Sequence, residues 1–390
     1  MTEASAGSGE RRALVVGGMH RSGTSALTRV LSLMGAELPD TLISGRERLG
    51  DEDYWESRAV VDLNQEILTA NLSWWAGWQS IDTATMEDRA TWLERAREVV
   101  RQEFGGSRLA VLKDPRVSRL LPLWTEALEA EGFVVGNILS LRQPSEVASS
   151  LSRRDGLIGP ASALGWLAHT LDFERDSRGT PRVVVSLDNL VHDWRREVDR
   201  IGAALGLSWP RGADEVADEV DGFVSADRAS RSTVKVPMPQ PVHDLLVRWA
   251  RDEVADGDAG FLDDWRARLE PIRSGSSPTL ANNSRKLART SAGFNIEARL
   301  AVRHLREMNQ LRRGQRRAFD AYLASLTRTA RGPLKGLALP RAVRRLRASG
   351  LVDEAAYVAR YPEAGAAGDP LAYLLTEGRA RGHRPPLARG

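Results

Sequence analysis

Near its N-terminus the chain reads Ala13-Leu14-Val15-Val16-Gly17-Gly18-Met19-His20-Arg21-Ser22-Gly23-Thr24-Ser25. Ala13–Gly18 is a short apolar, β-branched run after a polar lead, which predicts a buried strand. Met19–Ser25 has the composition of a turn. From Thr24 onward Ala26, Leu27, Val30, Leu31 and Met34 recur at helical spacing, and the pattern stops at Gly35. Strand, glycine-bearing loop and helix therefore open the protein. The alternation returns with a strand at Leu109–Leu112 and a helix near Ser118–Glu131, then Val134–Leu141 and a helix from Pro144 to Arg153. Arg182–Leu187 and a helix near Trp194–Leu205 complete the series. Apolar runs without strict polar alternation predict a parallel sheet covered on both faces, a doubly wound α/β fold.

The 390 residues are enough for two or three domains at roughly 150 each. With 42% hydrophobic and 27% charged residues, the composition is that of a folded globular chain. The absence of cysteine excludes disulfides, thiolate metal sites and cysteine nucleophiles. Six histidines, at 20, 169, 192, 243, 304 and 383, form no HxxxH pair, so no metal is expected. Residues 1–12 lack the apolar core of a signal peptide and read as disordered. No stretch approaches the roughly 18 apolar residues of a membrane span, and the expected location is cytoplasmic.

The net charge of +3 conceals a division. Ser284–Gly350 carries 17 Lys/Arg against three Asp/Glu, whereas residues 1–283 carry 33 against 44. The basic block reads as a solvated helical connector or as a surface for an anionic membrane or polymer, with peripheral attachment at the inner face of the membrane as one outcome. Nucleic acid is not expected as a partner. The polar stretch after about Arg273 reads as a linker. The expected organisation is a catalytic domain over residues 13–272, a linker and basic helical segment over 273–345, and a small C-terminal helical module over 346–390. Ile296, Leu300, Leu305, Met308 and Leu311 mark a helical stripe that either pairs with another chain or folds back on its own.

In Gly18–Ser25 the glycines are spaced as in a Walker A loop, GxxxxGK[ST], but Thr24 stands where the lysine would be. A loop between a strand and a helix start aims backbone N–H groups at one spot, and the helix dipole favours negative charge there. Arg21 adds a cation from within the loop. Arg21-Ser22-Gly23-Thr24-Ser25 after a strand resembles the 5′-phosphosulfate loop of sulfotransferases that use 3′-phosphoadenosine 5′-phosphosulfate (PAPS). Leu139-Ser140-Leu141-Arg142-Gln143-Pro144, followed by Ser150, is similar to that family's 3′-phosphate site, a strand-end arginine with a serine eight residues on. Lys113-Asp114-Pro115 is similar to the Lys-Asp-Pro of bacterial and tyrosylprotein sulfotransferases. The resemblance covers about residues 13–270.

It implies a P-loop-like α/β fold with a C-terminal helical extension, and transfer of a sulfuryl group from PAPS as co-substrate to an acceptor hydroxyl. It also implies that Arg21, Ser22, Gly23, Thr24, Ser25, Arg142 and Ser150 bind PAPS and that Lys113 and Arg21 neutralise charge on the sulfuryl group. Removing the acceptor's proton needs a base. Glu56, in Asp53-Tyr54-Trp55-Glu56, matches the aromatic-aromatic-Glu pattern of several relatives, and His20 inside the loop is the rival, with Arg21 disfavouring its protonated form. Trp74, Trp75 and Trp78 are either core or a sugar-stacking platform. Arg228, Ser230, Arg231 and Ser232 are candidates for closing the nucleotide pocket. Residues 357–385 resemble a module at the ends of bacterial glycosyltransferases and surface-polysaccharide assembly proteins, which implies a carbohydrate or cell-surface glycan acceptor. Two other readings stay open, a P-loop kinase or NTPase and a non-catalytic nucleotide-binding scaffold in glycan assembly.

Overall fold

Ala13, Leu14, Val15 and Val16 are completely buried, as a β-branched run in the middle of a two-sided sheet must be. They form strand β1 (Arg11–Gly17) of a computed structural model that describes residues 10–43, 54–71, 73–224, 236, 239–254, 259–274, 320, 323–324, 326–327, 335–349 and 351–386. The chain divides into two compact units, Met1–Val302 and Arg303–Gly390.

In the first unit β1 is followed by helix α1 (Thr24–Leu33), α2 (Arg58–Ala70), α3 (Arg89–Phe104) and β2 (Leu109–Lys113). After a 3-10 turn, Pro115–Arg119, come α4 (Leu121–Ala130), β3 (Phe133–Leu141), α5 (Pro144–Asp155), α6 (Gly159–Asp176) and β4 (Arg182–Ser186). Helices α7 (Leu187–His192), α8 (Trp194–Leu205), α9 (Ala217–Phe223), α10 (Gln240–Ala250) and α11 (Ala259–Ser274) complete the unit. The four strands are parallel in the order β2-β1-β3-β4, which is the doubly wound α/β architecture expected from the apolar runs. One face is covered by α1, α8 and α9 through Leu27, Val30, Leu31, Trp194, Val198, Ile201 and Val220, packed on Leu14, Val16, Val111, Ile138 and Val185. Helix α6 lies on the opposite face, where its Phe173 ring packs against Gly17 so closely that a Cβ there would stand 2.2 Å away.

Most boundaries differ from the sequence reading by a residue or two, and two of the differences have a clear local cause. The helix expected near Ser118–Glu131 is split, because Asp114 caps a separate turn beginning at Pro115 and a second proline, Pro122, opens α4. The strand expected to reach Leu187 stops at Ser186, whose hydroxyl accepts from the Asn189 amide and starts α7.

In the second unit α12 (Lys335–Ala348), α13 (Glu354–Arg360), α14 (Pro362–Ala366) and α15 (Pro370–Tyr373) enclose a small core that includes Ala342, Leu346, Tyr357, Leu371 and Leu374. The His383 ring stacks on Tyr361 with centroids 3.9 Å apart, and its Nδ1 lies 3.0 Å from the Tyr357 hydroxyl. The Ile296–Leu311 stripe and most of the basic block lie outside the described residues.

Candidate active site

Strand order places the site. The connection leaving β1 leads to β2 on one side, whereas β3 lies on the other, so the crevice between the C-terminal ends of β1 and β3 is a switch point at which α/β sheets receive ligands. Lys113 is in register with Val16, and Leu139 with Gly17, so Lys113, the Gly18–Ser25 loop and Arg142 all leave the sheet at one edge.

The loop is held from both neighbours. The Gly18 amide donates to Ser118 Oγ at 2.7 Å, and Ser140 Oγ donates to the Ser22 carbonyl at 2.9 Å. Gly18 has φ +129°, and a Cβ would meet the Ser140 carbonyl oxygen at 2.5 Å, so only glycine fits. The Ser22 amide donates to the Met19 carbonyl, closing a turn in which Arg21 adopts the left-handed conformation with φ 70°. A non-glycine residue there costs of the order of 1–3 kcal/mol, a strain that tends to be kept where a side chain must be aimed. Arg21 Nε donates to Ser150 Oγ at 2.8 Å across 129 residues. The first amides of α1 have no acceptor within their own helix, and such a helix start is suited to an anion.

A cleft of about 310 Å³ opens over this edge, and its walls include Arg21, Gly23, Thr24, Ser25, Glu56, Lys113, Arg142 and Ser150. The three motifs that are far apart in sequence are thus gathered in one cavity. Ser22 differs: it is completely buried and does not line the cleft, so its part in the loop is through its backbone. Arg153 and Arg154 also line the cleft, giving five cationic side chains against the carboxylate of Glu56.

Arg142 is 8% exposed. Its Nε donates to Glu146 at 2.9 Å and Nη1 to the Arg21 carbonyl at 3.3 Å, while its buried Nη2 has no acceptor among the described residues. A buried guanidinium N–H without a partner is costly unless a ligand supplies one. Across the cleft Lys113 uses all three protons, on Glu56 Oε1 at 2.7 Å, the Tyr54 carbonyl at 2.6 Å and Ser25 Oγ at 3.1 Å. Both members of the Lys113–Glu56 pair are almost wholly buried. The next residue, Asp114, is completely buried and accepts from Arg116 at 2.8 Å and from Asn64 at 2.8 Å, with Asn64 in turn accepting from Trp124. That network fixes the turn after β2 from which Lys113 extends.

His20 also lines the cleft, but its Nε2 is shielded and makes no hydrogen bond to any described residue. Its pKa is held well below the ordinary value by burial first, then by Arg116, Arg154, His169 and Lys113. The neutral form is favoured as expected, but through burial and Arg116, not Arg21. Of the three clustered indoles, Trp78 is core. Trp75 is half-buried, 4.7 Å from the His20 ring and beneath the Arg154 guanidinium at 5.7 Å. Arg228, Ser230, Arg231 and Ser232 lie outside the described residues.

Ser118, Ser140 and the Tyr54 carbonyl escape sequence reading. Ser140 stands two residues before Arg142, but a serine in a buried strand gives no signal of its role, and a carbonyl gives none at all. Among the described residues no group of His, Asp or Glu is arranged to hold a metal ion, and no helix is long and apolar enough to cross a membrane.

No protein-family model matches the chain, and no curated protein matches it. Solved structures that match include the sulfotransferase domain of the olefin synthase of Synechococcus PCC 7002, with 16% sequence identity, coverage of 65% of this chain and 97% of that domain, and a TM-score of 0.34.

Proposed function

We propose that the chain is a sulfotransferase that moves a sulfuryl group from PAPS to the hydroxyl of an acceptor, with a glycan as the acceptor class. The observation that supports it best is the cleft at the β1/β3 switch point, where Arg21 and Ser150 are joined and the buried Arg142 Nη2 has no acceptor among the described residues. In this reading Arg142 and Ser150 hold the 3′-phosphate, Thr24, Ser25 and the first amides of α1 hold the 5′-phosphosulfate, and Arg21, tied to Ser150 at 2.8 Å, is shared between the 3′-phosphate and the sulfuryl charge that the resemblance assigns to it. PAPS supplies an activated sulfuryl group on a phosphate leaving group. Sulfuryl transfer spreads negative charge over sulfonate and bridging oxygens, and fixed cations and N–H donors lower its barrier.

Glu56 takes the proton from the acceptor hydroxyl. Lys113, bonded to both Glu56 and Ser25, neutralises charge at the loop side of the cleft. The shielded Nε2 of His20 argues against the histidine as base. Thr24 in place of the Walker lysine weighs against ATP chemistry. The glycan assignment rests on the resemblance of residues 357–385 and on the half-buried Trp75 beside His20, with half-buried Trp74 packed on Trp75.

Calorimetric titration with 3′-phosphoadenosine 5′-phosphate, beside AMP and ATP without metal, tests the proposal. Binding that depends on the 3′-phosphate is expected. Equal affinity for AMP removes Arg142 and Ser150 from the site and returns the kinase reading.

A further inference from the structure

Helix α12 carries a second concentration of charge, remote in sequence from the cleft. From Ala321 to Val352 there are seven Lys/Arg and no Asp or Glu. Ala342, Val343 and Leu346 turn one side of α12 into the core of its unit. Arg341, Arg344 and Arg345, at three- and four-residue steps, therefore share the opposite face, and all three are exposed. No acid among the described residues pairs with Arg341 or Arg344, whereas Arg347 is engaged by Glu354 and Asp369 at 3.0 Å each. Beside them lies a groove of about 600 Å³ walled by Leu339, Pro340, Val343 and Ala372, with Arg344 and the Arg347–Asp369 pair also in its lining. Just past the helix Leu351 is 42% exposed, an unusual position for a large apolar side chain in this chain.

We infer that this face of α12 docks on a bilayer rich in anionic lipid. Arginines beside an apolar groove and an exposed leucine suit an interface with charged headgroups over hydrocarbon. A nucleic acid would call for stacking aromatics among the cations, and α12 contains none. The attachment would be peripheral, by charge and shallow apolar contact.

The test is flotation of the full chain with vesicles of phosphatidylcholine doped with phosphatidylglycerol, beside pure phosphatidylcholine vesicles and a single-stranded oligonucleotide. The wild type is expected to float with the anionic vesicles and to be released by salt. Arg341→Gln/Arg344→Gln/Arg345→Gln should lower partitioning on the order of 100-fold, since each arginine near an anionic surface contributes about 1 kcal/mol. The corresponding triple lysine variant should retain it, which separates lost charge from a damaged helix. Absence from anionic vesicles, equal flotation with neutral ones, an unchanged glutamine variant, or preference for the oligonucleotide would each overturn the inference.

Discussion

Arg142 is a buried cation in the wall of the cleft, and one of its guanidinium N–H groups has no acceptor among the described residues. Arg142→Ala is expected to weaken binding of 3′-phosphoadenosine 5′-phosphate by roughly 10- to 100-fold, because a hydrogen bond to a charged group contributes about 1.5–3 kcal/mol. Affinity for AMP should stay the same, and calorimetry on the two nucleotides reads the difference. Glu56→Gln separates catalysis from binding. Losing a general base lowers rates by roughly 100- to 10,000-fold, so sulfuryl transfer to an accepted glycan should fall by that much in kcat while nucleotide affinity changes little. Full activity in that variant would move the base elsewhere, and a non-catalytic scaffold would show no turnover to lose. The nearness of Arg142 and Ser150 to one cleft is legible from the sequence through the resemblance of their spacing to a 3′-phosphate site, because two turns of helix bring a hydroxyl back over the strand end. The Lys113–Glu56 pair is not, since 57 residues separate its members and only the fold brings them within 2.7 Å.

At the scale of elements, the loop between β1 and α1 depends on contacts made by its neighbours. Gly18→Ala is expected to destabilise the protein by about 1–3 kcal/mol from the left-handed backbone alone, with further loss from the contact at the Ser140 carbonyl. Thermal unfolding should show a lower Tm, and nucleotide binding should weaken as the loop shifts. Substituting Gly132, which also has positive φ but has open space around it, should lower stability without affecting the nucleotide. The strands of the sheet are readable because each is an apolar run ending in a turn. The break after Lys113 is less so: Pro115 and Pro122 each start a helical turn, and apolar periodicity alone merges the two.

Across the molecule, buried charge ties distant segments together and makes stability depend on pH. Asp172 accepts from Arg119 at 2.8 Å and from Arg273 at 2.6 and 2.7 Å, all three side chains being buried. Burial alone would raise the carboxyl, but Arg273 and Arg119 outweigh it and hold its pKa at about 2 instead of 3.8. Its stabilising contribution is present above pH 3.8 and is lost as the pH falls through 2. His169, completely buried, is pushed by that burial and by Arg119 from 6.5 to about 3. Between those values the unfolded chain binds a proton the native state refuses, so stability should drop steadily as the solution is acidified from pH 6.5 towards 3. His169→Gln should flatten that part of the Tm profile, with His20 and His243, shifted in the same direction, leaving a residual slope.

Arg273 stands at the end of α11, 101 residues beyond Asp172. A shortened chain made for crystallisation or acceptor screening must therefore run through Ser274. Cutting at the start of α11 would leave Asp172 with Arg119 as its main counter-charge, and removing one member of a buried ionic cluster costs about 3–5 kcal/mol. Such a fragment would be expected to aggregate on expression although every residue of the cleft is still present.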